Sequence, residues 1–334
     1  MIKGRKLSIA VIGAGSWGTT LSLHLHRKGH RIVLWEKYPE KAERIDRDRE
    51  NRAYLPGFPI PRDIRVTSEF GDLPPDLDLI VFAVPSQFIR AVAREASAYL
   101  GNHPVMVSVV KGIEFDSLKR MSEVLGEELK GASIVVLSGP SHAEEVVVNL
   151  PTSVVAASLE EKKALLVQGV FMDTRFRVYT NNDIIGVELG GALKNIIAIA
   201  NGISTGLGYG DNTMGALMAR GIAEISRLGV VMGADPSTFA GLSGVGDLIT
   251  TCISKHSRNR SVGLELARGR RLEVILKEMV QVAEGVPTTR AARKLAGIHG
   301  VDMPITEQVY NVLFEEKDPR AAVDDLMLRD PKPE

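Results

Sequence analysis

Residues 9–18 read IAVIGAGSWG. A short apolar run leads directly into Gly13-x-Gly15-x-x-Gly18, and a helix-patterned stretch, Trp17–Lys28, follows. Such glycine spacing is weak alone, but between a strand and a helix it specifies a strand–turn–helix unit for binding a dinucleotide. Gly13 permits the tight turn, Gly15 lets a pyrophosphate approach the backbone, and Gly18 lets the helix lie on the strand. The first amides of the helix then face the phosphate charge. The competing reading is a plain β–α turn with glycines. The other glycine clusters, GLGYG at 206–210 and GLSGVG at 241–246, follow no strand and read as loops.

The pattern around this turn predicts an α/β fold. Strands are expected at Leu7–Ile12, Arg31–Trp35, Leu79–Val84, Val105–Val109, Ile134–Leu137, Ser153–Ala157 and Phe176–Thr180. Helical stretches, Phe88–Tyr99 and Leu118–Leu129 among them, lie between several of these. LIVFAV and VMVSVV are continuously apolar, as strands covered on both faces must be. Alternating elements of this kind make a mostly parallel, doubly wound sheet of Rossmann type. Beyond about residue 183 helical periodicity takes over. Asp211 reads as the N-cap of a helix ending near Gly229, with Arg220, Glu224 and Arg227 on one face. Further helices are expected at Val262–Arg268, Leu272–Met279 and Thr306–Phe314. A chain of 334 residues suits two domains: a dinucleotide-binding domain over 1–183 and an all-helical substrate and catalytic domain over 184–334. The charged run Glu40–Arg52 reads as a solvated helix face and Asp330–Glu334 as a loose tail.

Bulk properties remove several classes. Forty-one basic residues balance 41 acidic ones, which argues against non-specific nucleic-acid binding or adhesion to an anionic membrane. Cys252 is the only cysteine, so the chain has no internal disulfide and no cysteine-based zinc site. A cytoplasmic location is expected. Lys3, Arg5 and Lys6 precede an apolar run, Leu7–Ala14, that reads as the first strand rather than a secretory leader. The most membrane-like stretch, Ile184–Ile203, holds Glu188, Lys194, Asn195 and Asn201, which disfavours a span.

Ligands of open α/β sheets bind beyond the carboxyl ends of the strands. Glu36 ends the second strand, 18 positions after Gly18, where an acid meets the adenosine ribose of NAD and repels the 2′-phosphate of NADP. Lys37 beside it offsets that repulsion, and a surface Glu is the bland alternative. VPSQ at 84–87, Lys111 in VVKGIE and Ser138–Ser141 in VLSGPSHAEE all follow strands. Pro140 suits a first helical position, and Glu144 and Glu145 suit the first turn after it. Lys111 by itself reads equally as a solvated turn residue. In ELGGALKNIIA, Gly190, Gly191 and Ala198 share a helix face with Lys194. That face is bare enough for a flat ligand to press against it with the ammonium at its reactive atom. Helix packing with a snorkelling lysine is the alternative. KHSRNRS gathers donors at a helix start, suited to phosphate or merely to a basic surface loop. Asp247, flanked by glycines, orients either a substrate hydroxyl or the lysine; otherwise it is an N-cap.

With these residues in place, the chain resembles the bacterial-type NAD(P)-dependent glycerol-3-phosphate dehydrogenases nearly end to end. VIGAGSWGTTLS, VVKGIE, LSGPSHAEEV, FRVYTNNDIIGVELGGALKNIIAIANGI, GLSGVGDLITTC, SRNRSVG and VAEGVPTT carry the likeness. The resemblance implies a Rossmann domain, an all-helical domain and a cofactor, NAD or NADP. It implies cofactor contacts at Ser16, Trp17, Lys111, Ala143, Arg258, Val282 and Glu284, with Lys37 and Tyr54 as weaker assignments. It further implies substrate contacts at Lys111, Gly139, Ser141, Lys194, Asp247, Ser257, Arg258 and Asn259. Lys194 matches the family's proton donor and acceptor between dihydroxyacetone phosphate and sn-glycerol 3-phosphate, and the product supplies phospholipid synthesis. Burial and Lys111 are expected to lower the Lys194 pKa; no metal is needed. Rival readings are a related two-domain hydroxyacid dehydrogenase, or a non-catalytic NADH-binding redox sensor. A homodimer is the default assembly.

Overall fold

The computed structural model describes residues 5–101 and 104–331; Lys3 and the tail residues Lys332–Glu334 lie outside them. One eight-stranded sheet runs through the first half: β1 (Ser8–Ile12), β2 (Arg31–Trp35), β3 (Arg65–Thr67), β4 (Leu79–Phe82), β5 (Val105–Ser108), β6 (Ile134–Ser138), β7 (Thr152–Ala157) and β8 (Phe176–Asn181). Its order is β3-β2-β1-β4-β5-β6-β7-β8. All neighbours are parallel except β6 and β7. β3 has only three residues, too short to leave a periodic signal, and was not expected.

Helices cover both faces of the sheet: α1 (Ser16–Arg27), α2 (Pro39–Asp48), α3 (Ile89–Ser97), α4 (Met121–Glu128), α5 (Ala143–Val147) and α6 (Glu161–Phe171). Alternate residues of β1 serve opposite layers. Ile9 and Val11 join one buried cluster with Leu21 and Leu25 of α1, while Ala10 and Ile12 join another with Val92 and Ala96 of α3. Burial on both faces explains why β4 and β5 are apolar throughout. Helix α5 starts at Ala143, with His142 in the N-cap position, so Pro140 precedes the helix instead of opening it.

The second half is helical: α7 (Ile184–Gly206), α8 (Asp211–Val231), α9 (Pro236–Phe239), α10 (Asp247–Ile253), α11 (Arg258–Ala267), α12 (Leu272–Glu278), α13 (Gly285–His299), α14 (Pro304–Phe314) and α15 (Pro319–Met327). Its core wraps α7, whose Leu189, Leu193, Ile196, Ile197 and Ile199 are each at most 1% exposed. Among the described residues α7 is the one helix long and apolar enough to cross a membrane, and nearly all of it is buried in the protein. Asp183 starts it by accepting from the Gly186 amide at 2.8 Å. Gly202 of α7 and Gly263 of α11 bring the two backbones together; a Cβ on Gly263 would sit 2.1 Å from the Ile199 carbonyl oxygen.

Three details differ from expectation. Asp211 is the first residue of α8, and Gly210 takes the cap position. Glu224 does not pair with Arg220 or Arg227. It is buried and accepts from the Ile305 amide at 2.6 Å and the Thr306 amide at 3.2 Å, capping α14. GLSGVG is not a loop: Leu242–Gly246 forms a wide π-helical turn running into α10.

Candidate active site

β1 and β4 are paired neighbours at the topological switch point, where the connections leaving their carboxyl ends lead towards opposite edges of the sheet and leave a crevice. Gly13 turns there with φ +114°, and a Cβ on it would lie 2.8 Å from the Ala83 carbonyl oxygen. A Cβ on Gly18 would lie 1.9 Å from the Gly13 oxygen, so only glycine lets α1 start this close to β1. Around Gly15 no heavy atom of another described residue, its chain neighbours aside, stands within 4 Å of the Cβ position. No side chain caps α1, so its first amides remain available to an anion. Ser16 is buried and donates to the Gln281 side chain at 3.2 Å, and Trp17 half-covers the sheet core. Asn51 fixes the turn from outside, donating to the Ala14 carbonyl at 2.7 Å and to Thr19 Oγ1 at 2.9 Å.

Beside this turn, Trp35 of β2 accepts the Gly13 amide at 2.9 Å, which brings Glu36 to the crevice. The Glu36 carboxyl is buried and its pKa raised by that burial, against the opposing amides of Tyr38 and Ala14. Lys37 is exposed, with Nζ 5.9 Å from the Phe88 ring. Tyr54 is half-buried near Lys41.

Farther along the strand ends, three charges meet. Asp247, at the start of α10, is 1% exposed. Its Oδ1 accepts from Lys194 Nζ at 2.7 Å and its Oδ2 from Lys111 Nζ at 2.7 Å. Lys194 also donates to Thr251, one turn on from Asp247. Lys111 donates to the Gly139 carbonyl at 2.8 Å, which Ser141 Oγ reaches at 3.0 Å. Burial pushes the Lys194 pKa down to about 8; Asp247 opposes the shift, and the Lys111 cation adds to it. Burial alone would raise Asp247, but the two ammonium groups outweigh it and hold the carboxyl below its ordinary range. The same ammonium groups, after burial, push His142 down to about 4. Its Nε2 is buried without a partner, and its ring stands 6.0 Å from that of His256.

The bare face expected on α7 is filled by protein. A Cβ on Gly190 would lie 2.5 Å from the Ser243 carbonyl oxygen, and one on Gly191 would lie 2.6 Å from Ser138 Oγ. The pair admits the π turn and the end of β6 rather than a flat ligand. Lys194 does not snorkel either, because its side chain is only 6% exposed.

A second set of bonds ties α7 to α11, α13 and the sheet. Ser257 caps α11 by accepting from the Arg260 amide at 3.2 Å. Arg258, next in chain, is exposed. Asn259 is buried and already engaged: it donates to Asn195, beside Lys194, at 2.9 Å and accepts from the Gly285 amide at 2.9 Å. The Glu284 carboxylate accepts from the Ser86 amide at 2.9 Å and from its hydroxyl at 2.5 Å. Val282 is 44% exposed, and Ala143 is buried where α5 meets α1.

Two family models cover most of the chain: the N-terminus of NAD-dependent glycerol-3-phosphate dehydrogenase over residues 8–164 and its C-terminus over residues 183–324. The chain belongs to this family. A glycerol-3-phosphate dehydrogenase [NAD(P)+] of Pelotomaculum thermopropionicum is 56% identical over 325 residues, 96% of this chain and 93% of the relative. One of a Thermoanaerobacter species is 51% identical, over 98% of this chain and 99% of the relative. The crystal structure of glycerol-3-phosphate dehydrogenase from Coxiella burnetii matches with a TM-score of 0.94 at 38% identity, covering 97% of this chain and 99% of that one.

In this member of the glycerol-3-phosphate dehydrogenase family, Lys111, Gly139, Ser141, Lys194 and Asp247 form one cluster. Asn259 bonds instead to Asn195, next in chain to Lys194, and Glu284 reaches Ser86. Lys37 and Tyr54 stand apart beyond β2, near Phe88 and Lys41. Sequence reasoning missed Thr251 and Asn51, reached Ser86 only as part of VPSQ, and took Asn195 only as a polar residue that disfavours a membrane span. Thr251 lies four residues after Asp247, a helical spacing that could have revealed it; Asn51 sits in a charged surface run and gave no signal.

Proposed function

We propose that Lys194 gives and takes the proton as this NAD(P)-dependent glycerol-3-phosphate dehydrogenase interconverts dihydroxyacetone phosphate and sn-glycerol 3-phosphate. The observation that carries this reading is the buried Lys194 ammonium, tuned to about 8 and held by a carboxylate shared with Lys111. A general acid works best with its pKa near the working pH.

The open space at Gly15 and the uncapped start of α1 fit a pyrophosphate. Gly13, Gly15, Ser16, Trp17 and Gly18 would hold the cofactor, with Glu36 at the adenosine ribose. Ala143, Val282 and Glu284 are further contacts in this reading. Bound there, the reduced nicotinamide supplies a hydride to C2 of the ketone. Residues 1–183 thus serve the cofactor, and residues 184–334 supply Lys194 and most of the substrate contacts. The Lys194 ammonium donates to the oxygen as negative charge grows on it, and in reverse the free amine takes the proton back. Asp247 holds that ammonium in place, and Lys111 adds positive charge where the oxyanion forms. Arg258 and Ser257 hold the phosphate, so that binding energy away from the reacting carbon orients it. Gly139, Ser141 and Asn259 complete the wall.

The test follows NADH absorbance after addition of dihydroxyacetone phosphate. Wild type oxidises NADH, and Lys194→Ala loses at least about 10²-fold in kcat while still binding NADH. Clear NADH binding without turnover in wild type would instead favour a redox sensor. The same reading places the chain in the cytoplasm, feeding phospholipid synthesis, and takes a homodimer as the assembly; light scattering on purified protein checks the last.

A further inference from the structure

The loop between β5 and α4 carries Lys111 and is held at both ends. It closes on itself first: the Glu114 amide donates to the Lys119 carbonyl at 3.0 Å, and Ile113 bridges Arg120. From the sheet side, Gln87 accepts from the Phe115 amide at 3.0 Å and donates to the Ile113 carbonyl at 2.8 Å. From α7, Glu188 grips the other end. Its Oε1 accepts from the Ser122 amide at 2.7 Å, and its Oε2 accepts from Ser122 Oγ at 2.6 Å and Arg120 Nη1 at 2.5 Å.

This carboxylate is outside the chemistry proposed above, and its side chain is only 3% exposed. Burying an ion pair is a poor way to gain stability, since apolar residues of similar volume often do as well or better; fixing a register is its better-attested use. The register here is that of the Lys111 loop on α7. One turn after Glu188, a Cβ on Gly191 would meet Lys111 Cγ at 3.6 Å. The helix that carries Lys194 therefore touches this loop both at Lys111 and at Arg120–Ser122.

We propose that Glu188 is a positioning residue: it sets the Lys111 loop on α7 so that Lys111 and Lys194 share Asp247. The inference rests on the acid–base reading of Lys194. The charged and titratable groups facing Lys194 are Asp247 and Cys252 from α10, Lys111 from the loop and His142 from the start of α5. Releasing the loop withdraws a cation and leaves Asp247 to Lys194 alone. Both changes favour the ammonium, so its proton is lost at higher pH.

The experiment uses full-length Glu188→Gln, which keeps the shape and removes the charge. In the direction of ketone reduction, kcat falls about 10-fold or more. The alkaline limb of the kcat/KM profile moves up by about half a pH unit or more. NADH affinity, read by fluorescence titration, stays within about twofold of wild type. Arg120→Lys with Glu188 intact, which retains the pair's charge, shows only part of either effect. A purely structural Glu188 would lower the melting temperature while leaving kcat and the limb unchanged, and that result overturns the proposal. If Glu188→Gln does not fold, Ser122→Ala removes one donor and must move the limb the same way; an unmoved limb there is equally fatal. Undiminished kcat in Lys194→Ala is a separate outcome, which sinks the acid–base reading and this inference with it.

Discussion

At Gly15 an added Cβ would meet no other described residue within 4 Å beyond its chain neighbours, whereas at Gly190 it would lie 2.5 Å from a backbone oxygen of the π turn. One glycine keeps space open and the other has its space filled. Around Gly15 the space is open and α1 presents uncapped amides, an arrangement complementary to an anion from outside. Around Gly190 and Gly191 the end of β6 and the turn before α10 press in, which brings Asp247 against Lys194. The glycine turn thus leaves room for a ligand, and the glycine pair serves the protein that assembles the charges.

Substitutions separate these two uses. Gly190→Ala is expected to cause the largest loss of stability, about 1–3 kcal/mol from overpacking against backbone, with kcat reduced because α10 carries Asp247. Chemical denaturation with steady-state kinetics reads both, and unchanged stability would mean the contact is soft. Gly15→Ala should leave stability alone, since its φ of −73° is open to alanine. It should weaken NADH binding about 10-fold, close to 1.4 kcal/mol. A stability loss without a change in affinity would reverse the comparison.

The charge cluster beside the glycine pair sets a pH dependence. Ketone reduction needs the Lys194 ammonium, so kcat/KM in that direction should fall as pH rises through about 8; alcohol oxidation needs the free amine and should rise through the same range. An activity flat across that window excludes Lys194 as the titrating group. The smallest effect is expected at Glu36. NAD should be used at least as well as NADP, and Glu36→Gln should shift kcat/KM towards NADP. A wild-type preference of about 100-fold for NADP, close to 2.7 kcal/mol, would remove Glu36 from the ribose.

Much of the fold was legible because its signals are local. Seven of the eight strands are visible as short runs of strand formers, and Gly13 makes the tight turn and Gly18 the close helix–strand contact that their spacing suggests. β3 escaped because three residues carry no period, and Pro140 misled because a proline suits a first helical turn wherever a loop allows one. The candidate site was legible as residue types but not as contacts. Asp247 stood out as an acid among glycines, yet its bond to Lys194 spans 53 positions of chain. Asn259 read as a free donor and is largely occupied by Asn195 and Gly285.

The sequence by itself determined the glycine turn, the alternation of strands and helices, the change to helix near residue 183 and the position of Lys194 within an apolar helix. These follow from spacing and periodicity, which local sterics and hydrophobicity enforce along the chain. Only the tertiary structure decided what fills the space beside Gly190 and Gly191, and that one carboxylate serves two lysines. Such arrangements depend on distant segments packing at van der Waals distance, and on burial that changes the cost of each charge. ELGGALKNIIA shows both limits: its sequence marks a lysine that must be accounted for, and the fold supplies Asp247, Thr251 and Lys111 to account for it.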